Sequence, residues 1–231
     1  MSQSGLWYLQ NIDATSIFCP QKMSDPDSHQ ASVFKKGETI YMPEEAADKI
    51  YFIRQGRVKI YAQGEGEKEV IKAVLGVGEI FGELALVSDQ KRRDQAEAME
   101  ETHLCIVEKE AINNLFPQRS GLQNLFLNLF GARILEMENR LESLVFKDSR
   151  SRIVDFLLEL AEKKGERVGF ETVVRKFLTH QEIANLTATS RQTVTTVLND
   201  LRTKEIIKFD RRRLLIRDKE KLSAELQAIP S

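Results

Sequence analysis

Residues 81–94 read FGELALVSDQKRRD. A glycine at position 82 lets successive backbone N–H groups turn outward, and Arg92 and Arg93 follow in the same stretch; together they could hold a phosphate. Asp94 has the wrong sign for that task. A second candidate set lies in LTHQEIANLTATSRQTVTTVLNDLRTK. Thr179 to Glu182 is a capping box, in which Thr179 satisfies a free helix N–H and Glu182 reaches back to the cap. TATS turns the chain, and Thr189 or Ser190 caps the next helix, with Gln192 at the reciprocal position if the cap is Thr189. Val194, Val197, Leu198 and Leu201 form its buried stripe at i, i+3, i+4, i+7. The opposite face shows Arg191, Gln192, Thr195, Thr196 and Asn199, with Arg202 further along. These groups form hydrogen bonds and carry no negative charge. The first turn of such a helix can enter a major groove, where arginine grips guanine at two points and glutamine suits adenine.

Other reactive side chains carry less. His103 and Cys105 fall on the same side of one strand, but THLCIV reads as an ordinary buried strand and no third ligand is evident, so no metal site is expected. Cys19 and Cys105 are the only cysteines. They form no CxxC, and neither a disulfide framework nor a zinc site is expected. His29 is read as incidental, and His180, in the first turn of a helix beside DNA, as a phosphate contact. The chain has no nucleophile–base pairing motif and no Walker loop. No catalytic residue is assigned, and the chain is not expected to be an enzyme.

The elements that position these residues follow from periodicity. Residues 5–18 read as partly helical, and CPQKMSDPDSHQ as turn-rich. ETIYM, KIYFIRQ, RVKIYAQ, EVIKAVL, EIFGELAL and HLCIV are short, rich in β-branched and aromatic residues, and punctuated by glycines. That pattern predicts a β-sandwich or β-roll to about residue 108. From residue 119 the pattern is helical. Leu127, Phe130, Ile134, Met137, Leu141 and Leu144 recur at spacings of three and four, a heptad seam that predicts a parallel dimer. Leu122, Leu125 and Leu129 form a second stripe, suited to packing on the chain's own core. Asp148 or Ser149 caps a helix carrying Ile153, Phe156, Leu157 and Leu160 that stops near Gly165. VGFETVVRKF reads as a hairpin, and IIKFDRRRLLIRD as two strands around a charged tip bearing Arg211, Arg212 and Arg213.

Charge distribution agrees with this division. The whole chain carries 34 basic and 35 acidic residues, but residues 148–231 carry 17 against 13. Between Arg175 and Arg217 the balance is ten to four. A basic tip beside a helix-turn-helix pattern points to DNA phosphates. No apolar run approaches ~18 residues, so no membrane span is expected. The start MSQSGLWYLQ lacks the basic and apolar regions of a signal peptide, and a cytoplasmic location is expected.

On GETIYMPEEAADKIYFIRQGRVKIY, IFGELAL followed by Arg93, and LTHQEIANLTATSRQTVTTVLNDLRTKEII, in that order, the chain resembles the CRP/FNR family of bacterial transcription regulators over nearly its whole length. The resemblance implies an α+β protein: an N-terminal β-roll of the jelly-roll type (residues 1–118), a long dimerisation helix (119–147) and a C-terminal winged helix-turn-helix (148–231). It implies a homodimer on a palindrome of double-stranded DNA, with RNA polymerase a candidate further partner. Arg191, Gln192 and Thr196 become base-reading positions; many members carry glutamate where Gln192 stands and a basic residue where Thr196 stands. Gly82, Glu83 and Leu84 become the start of a phosphate cassette, with Glu83 on a ribose hydroxyl and an arginine on the phosphate. That arginine is Arg93 counted without a gap, and Arg92 if the register shifts by one. Asp94 then replaces a small neutral residue, or pairs with Arg93 and consumes its charge. Met137 and Glu138 fall where cAMP-binding members carry hydroxyl residues. A small effector is allowed, but cAMP is not expected to be it.

Overall fold

The computed structural model describes residues 29–64, 69–87, 91–210 and 212–226. The partly helical segment expected at 5–18, Cys19, and most of the turn-rich segment lie outside them. Two compact units are present, Met1–Glu138 and Asn139–Ser231.

The first unit contains β1 (His29–Phe34), β2 (Thr39–Tyr41), β3 (Lys49–Gln55), β4 (Val58–Gln63), β5 (Glu69–Leu75), β6 (Ile80–Phe81), β7 (Gln95–Ala98) and β8 (Thr102–Glu108). They form two antiparallel sheets, ordered β1-β8-β3-β6 and β2-β7-β4-β5. Strand β3 explains their arrangement. Ile50, Tyr51, Phe52 and Ile53 are all buried, so both faces of the strand are covered and its sequence is a continuous apolar run rather than an alternation. Tyr51 and Ile53 join Phe81 and Leu104 against Tyr41, Val58, Ile60, Leu75 and Ala96 of the second sheet. Ile50 and Phe52 face the other way, with Cys105 and Val107. Helix α1 (Lys109–Leu115) and the first part of α2 (Ser120–Phe146) cover that face through Ile112, Leu122, Leu125, Phe126 and Leu129.

Several expectations are corrected. His29–Phe34 is a strand, because pairing with β8 from His29↔Val107 to Phe34↔Thr102 supplies partners that local sequence does not reveal. QAEA, of low intrinsic strand preference, is held extended between β2 and β4. GELAL does not continue a strand; Glu83–Leu86 is a 3-10 turn entered through Gly82 at φ 76°. Phe130 is half-buried and packs on the core beneath α2, so it does not belong to the exposed seam. That seam is Leu127, Ile134, Met137, Leu141 and Leu144, with Met137 71% and Leu141 64% exposed. Cys105 is disulfide-bonded, against expectation, and its partner lies outside the described residues.

The second unit contains α3 (Ser149–Lys164), β9 (Gly165–Val168), β10 (Glu171–Arg175), α4 (His180–Thr187), α5 (Arg191–Thr203), β11 (Ile207–Phe209), β12 (Arg213–Ile216) and α6 (Lys219–Ala224). Asp148 is the cap of α3, accepting from the Ser151 N–H at 2.7 Å. The sheet order is β11-β12-β10-β9. The hairpin begins at Gly165, earlier than its sequence suggests, because α3 runs directly into β9. A Cβ at Gly165 would sit 2.2 Å from the Ala161 carbonyl oxygen and 2.5 Å from Thr172 Cγ2, so only glycine fits this corner. Ile153, Val154 and Leu157 of α3 are buried, as are Ile183, Val194, Val197, Leu198, Leu201, Leu214 and Ile216. Among the described residues no helix is long and apolar enough to cross a membrane.

Leu125 is 1% exposed, between α2 and the sheet. Leu125→Ala removes buried methyl groups and leaves a cavity, so it should lower the unfolding free energy by about 2–5 kcal/mol in a denaturant titration. A loss below ~1 kcal/mol would show that α2 is not integral to the core.

Candidate nucleic-acid interface and effector pocket

The capping box at the start of α4 is formed: Thr179 Oγ1 accepts from the Glu182 N–H at 3.2 Å, and Glu182 accepts from the Thr179 N–H at 2.7 Å. Helix α4 ends at Ala188, whose φ of 50° lets a non-glycine residue make the tight turn. Ser190, rather than Thr189, caps α5, accepting from the Thr193 N–H at 3.0 Å. With its cap and buried stripe satisfied, α5 presents Arg191, Gln192 and Thr196 as exposed side chains, with Asn199 half-buried behind them. Thr195 is committed: its hydroxyl bonds the Arg191 carbonyl at 2.9 Å and lies 2.8 Å from His180 Nδ1. Arg202 is exposed and lies over the Phe209 ring at 5.4 Å. The wing tip between β11 and β12 is shaped by Asp210, whose carboxylate accepts from the Arg212 and Arg213 N–H groups and pairs with the Arg213 guanidinium. Arg212 and Arg213 are exposed there, and Arg211 lies outside the described residues.

Two arginines escaped sequence reading because most of their partners are remote along the chain. Arg152 of α3 donates to the carbonyl oxygens of Lys147 (2.8 Å), Thr187 (2.9 Å) and Ala188 (3.1 Å). It thereby ties the end of α2 to the turn between α4 and α5. Arg150 pairs with Asp200 of α5 and with Glu225, and Lys204 pairs with both carboxylates. The Arg150 hydrogen bond, first of all, holds the Asp200 carboxyl below the usual carboxylate range.

In the first unit, Gly82, Glu83, Arg92 and Arg133 come together. Arg92, not Arg93, turns inward. It is 5% exposed and donates to the carbonyl oxygens of Gly82 at 3.1 Å and Lys49 at 2.5 Å. Its guanidinium also lies 4.6 Å from the Tyr41 ring centroid and 5.7 Å from that of Tyr51. A Cβ at position 82 would meet Arg92 Nη1 at 3.0 Å and Tyr51 Cδ2 at 2.9 Å, so glycine permits this approach. Arg93 is exposed. Asp94 is taken by Lys72 at 2.9 Å and by the Tyr41 hydroxyl at 3.2 Å. Burial, then Asp94, push the Tyr41 phenol far above its usual value, so it remains a donor. Glu83 is buried and pairs at 3.6 Å with Arg133 of α2. Burial raises the Glu83 carboxyl against the pull of Arg133. Arg92 Nε and Arg133 Nε are both buried without a hydrogen-bond partner. Leu84 is exposed beside Glu83, and Met137 and Glu138 stand exposed on α2, beginning one turn beyond Arg133. Among the described residues no group of three or more His, Cys, Asp or Glu side chains is placed to hold a metal.

Residues 31–119 match the family model for a cyclic nucleotide-binding domain, and residues 151–225 that for a Crp-like helix-turn-helix domain. The chain is 32% identical to a global nitrogen regulator of Synechococcus elongatus, over 81% of this chain and 85% of that protein. It is 27% identical to a CRP-like cAMP-activated global transcriptional regulator of Mycobacterium tuberculosis, over 96% of both. A CRP-family transcriptional regulator structure from Thermus thermophilus superposes with a TM-score of 0.70 at 28% identity, over 85% of this chain and 97% of that one. The CooA mutant from Carboxydothermus hydrogenoformans shares the fold at a TM-score of 0.75, over 98% and 97% of the two chains, at 24% identity.

The Asp200 contribution to stability has a definite pH window. A carboxyl whose folded value is depressed stabilises the fold above its unfolded value of ~3.9, and the benefit is lost as pH falls through the lower folded value. Asp200→Asn should therefore lower the melting temperature near neutral pH, and the gap to wild type should close in acid. A gap of constant size at all pH values would place the effect elsewhere than in the ion pair.

Proposed function

The chain belongs to the CRP/FNR family of transcription regulators, and we propose that it works as a homodimer whose two α5 helices read half-sites of a palindromic operator. The carrying observation is the state of α5: its cap and its apolar stripe are internally satisfied, while Arg191, Gln192 and Thr196 are left exposed at its N-terminal end. In this reading residues 1–118 sense, 119–147 join two copies, and 148–231 bind DNA. Thr179, His180, Ser190, Asn199 and Arg202 border the reading face, and Arg211, Arg212 and Arg213 meet phosphates. Thr195 positions His180 rather than touching bases. The exposed side chains Leu127, Ile134, Met137, Leu141 and Leu144 supply the dimer seam, since an apolar stripe of this length gains ~25 cal/mol per Å² when covered.

The Glu83–Arg92–Arg133 cluster is the effector site in this reading, for a small ligand other than cAMP. Both terminal nitrogens of Arg92 are already engaged by carbonyl oxygens. Asp94 adds a second carboxylate beside Glu83, and like charge against a cyclic phosphate near a surface costs on the order of a few kcal/mol. Glu138, exposed on α2, offers no neutral hydroxyl. The competing reading is activation by cAMP, as in the CRP-like cAMP-activated regulator of Mycobacterium tuberculosis; Gly82 and Glu83, which the resemblance places at the start of a phosphate cassette, favour it. Calorimetry with cAMP and cGMP, paired with a DNA shift with and without each, separates the two. Micromolar cAMP affinity with a matching gain in DNA affinity would select the second.

Selection from random DNA should enrich a two-fold symmetric site with half-sites about one helical turn, ~34 Å, apart. Arg191→Ala should cost ~1–3 kcal/mol and relax preference at one base pair. Neutralising Arg211 to Arg213 should weaken all duplexes alike and flatten the salt dependence. Replacing Ile134 and Leu141 with glutamate should give monomers in sedimentation and abolish tight binding. An unchanged dimer mass would move the interface off α2.

A further inference from the structure

His180 opens α4, and its Nδ1 lies 2.8 Å from Thr195 Oγ1. The same Oγ1 lies 2.9 Å from the Arg191 carbonyl oxygen, which can only accept. Both short contacts are hydrogen bonds in one arrangement alone: the hydroxyl donates to the carbonyl and accepts from the imidazole. Nδ1 therefore carries the hydrogen, and in the neutral ring Nε2 is a bare acceptor. Among the described residues Nε2 has no partner, and the buried side-chain atoms lacking one are Arg92 Nε and Arg133 Nε, so Nε2 faces water. A phosphate oxygen is also an acceptor. While Thr195 keeps both of its hydrogen bonds, the two cannot bond until the ring gains a proton at Nε2.

Resting on the DNA-binding reading above, we propose that His180 engages a backbone phosphate only as an imidazolium, so that each protomer takes up one proton when it binds DNA. The surroundings favour this coupling. From α5 the ring faces Arg191 and Thr195. From β11 it meets the Phe209 ring at 5.7 Å, which Arg202 covers. Lys208 and Asp210 flank Phe209, and the Asp210 carboxylate is occupied by Arg212 and Arg213. On α4 itself, Glu182 is occupied by the Thr179 N–H. Both neighbouring carboxylates are thus committed, and the charge that acts on the ring is positive. Burial and then Arg191 lower the His180 pKa, keeping the free protein's ring neutral near pH 7. An arriving phosphate reverses the sign of that field and raises it.

Linkage sets the size of the effect. Affinity should rise as pH falls through the raised, bound-state value, and level off below the lowered, free-state value. Each imidazole contributes up to ~10-fold per pH unit between them, and the two of a dimer up to ~100-fold. The test uses the full chain and a palindromic duplex recovered by selection with the wild type, titrated by fluorescence anisotropy from about pH 8.5 to 5.5 at fixed ionic strength. Wild type should gain affinity by more than ~10-fold per unit within the window. His180→Gln should bind more weakly in acid with that slope gone, and His180→Arg should bind tightly without it. Proton NMR of the His180 ring should show its pKa rising when the duplex is added. Equal slopes for wild type and His180→Gln, or an unmoved ring pKa in the complex, would overturn the proposal while leaving DNA binding intact. Failure of wild type to bind any duplex at any pH would overturn the reading beneath it, and the proposal too.

Discussion

Four consecutive buried side chains, Ile50 to Ile53, constrain the first unit. A strand with both faces covered needs a layer on each side, and the chain supplies them as a second sheet and a helical cover. The pocket cluster is built on the same strand. The Lys49 carbonyl oxygen anchors Arg92, and the Tyr51 ring leaves room beside it for no more than the hydrogen of Gly82. The arginine is thus placed by the core, and a change in packing at β3 would be felt at the candidate ligand site before it reached solvent.

The second unit is constrained differently. Helix α5 is held at its start by a local cap, along one side by apolar packing, and near its end by the Arg150–Asp200–Lys204–Glu225 cluster. None of these uses the side chains of Arg191, Gln192 or Thr196. Those three positions can therefore vary without loss of the helix.

What could be read from the sequence was what local spacing encodes. The capping box, the Val194–Leu201 stripe and the Leu122–Leu129 stripe each lie within a few turns of one helix, so their partners are neighbours in the text. Phe130 is half-buried where its neighbours in the seam are exposed, and spacing alone cannot say which of two adjacent stripes a residue joins when its angle falls between them. Strand β7 has little propensity of its own and exists through partners far away along the chain. Which of Arg92 and Arg93 turns inward depends on a one-residue difference in loop length, which shows only in three-dimensional pairing. The bonds from Arg150 to Asp200 and Glu225, and from Arg152 to Thr187 and Ala188, span 35 to 75 residues and have no signature short of the fold.

Arg152 also bears on how such links are found. Its partners at Lys147, Thr187 and Ala188 are all backbone oxygens, present whatever side chain each position carries. A lineage could replace all three residues and keep every bond. Covariation between aligned positions detects pairs that must change together, and across these three bonds only the arginine has anything to conserve. A search for correlated substitutions would pass over this tie altogether.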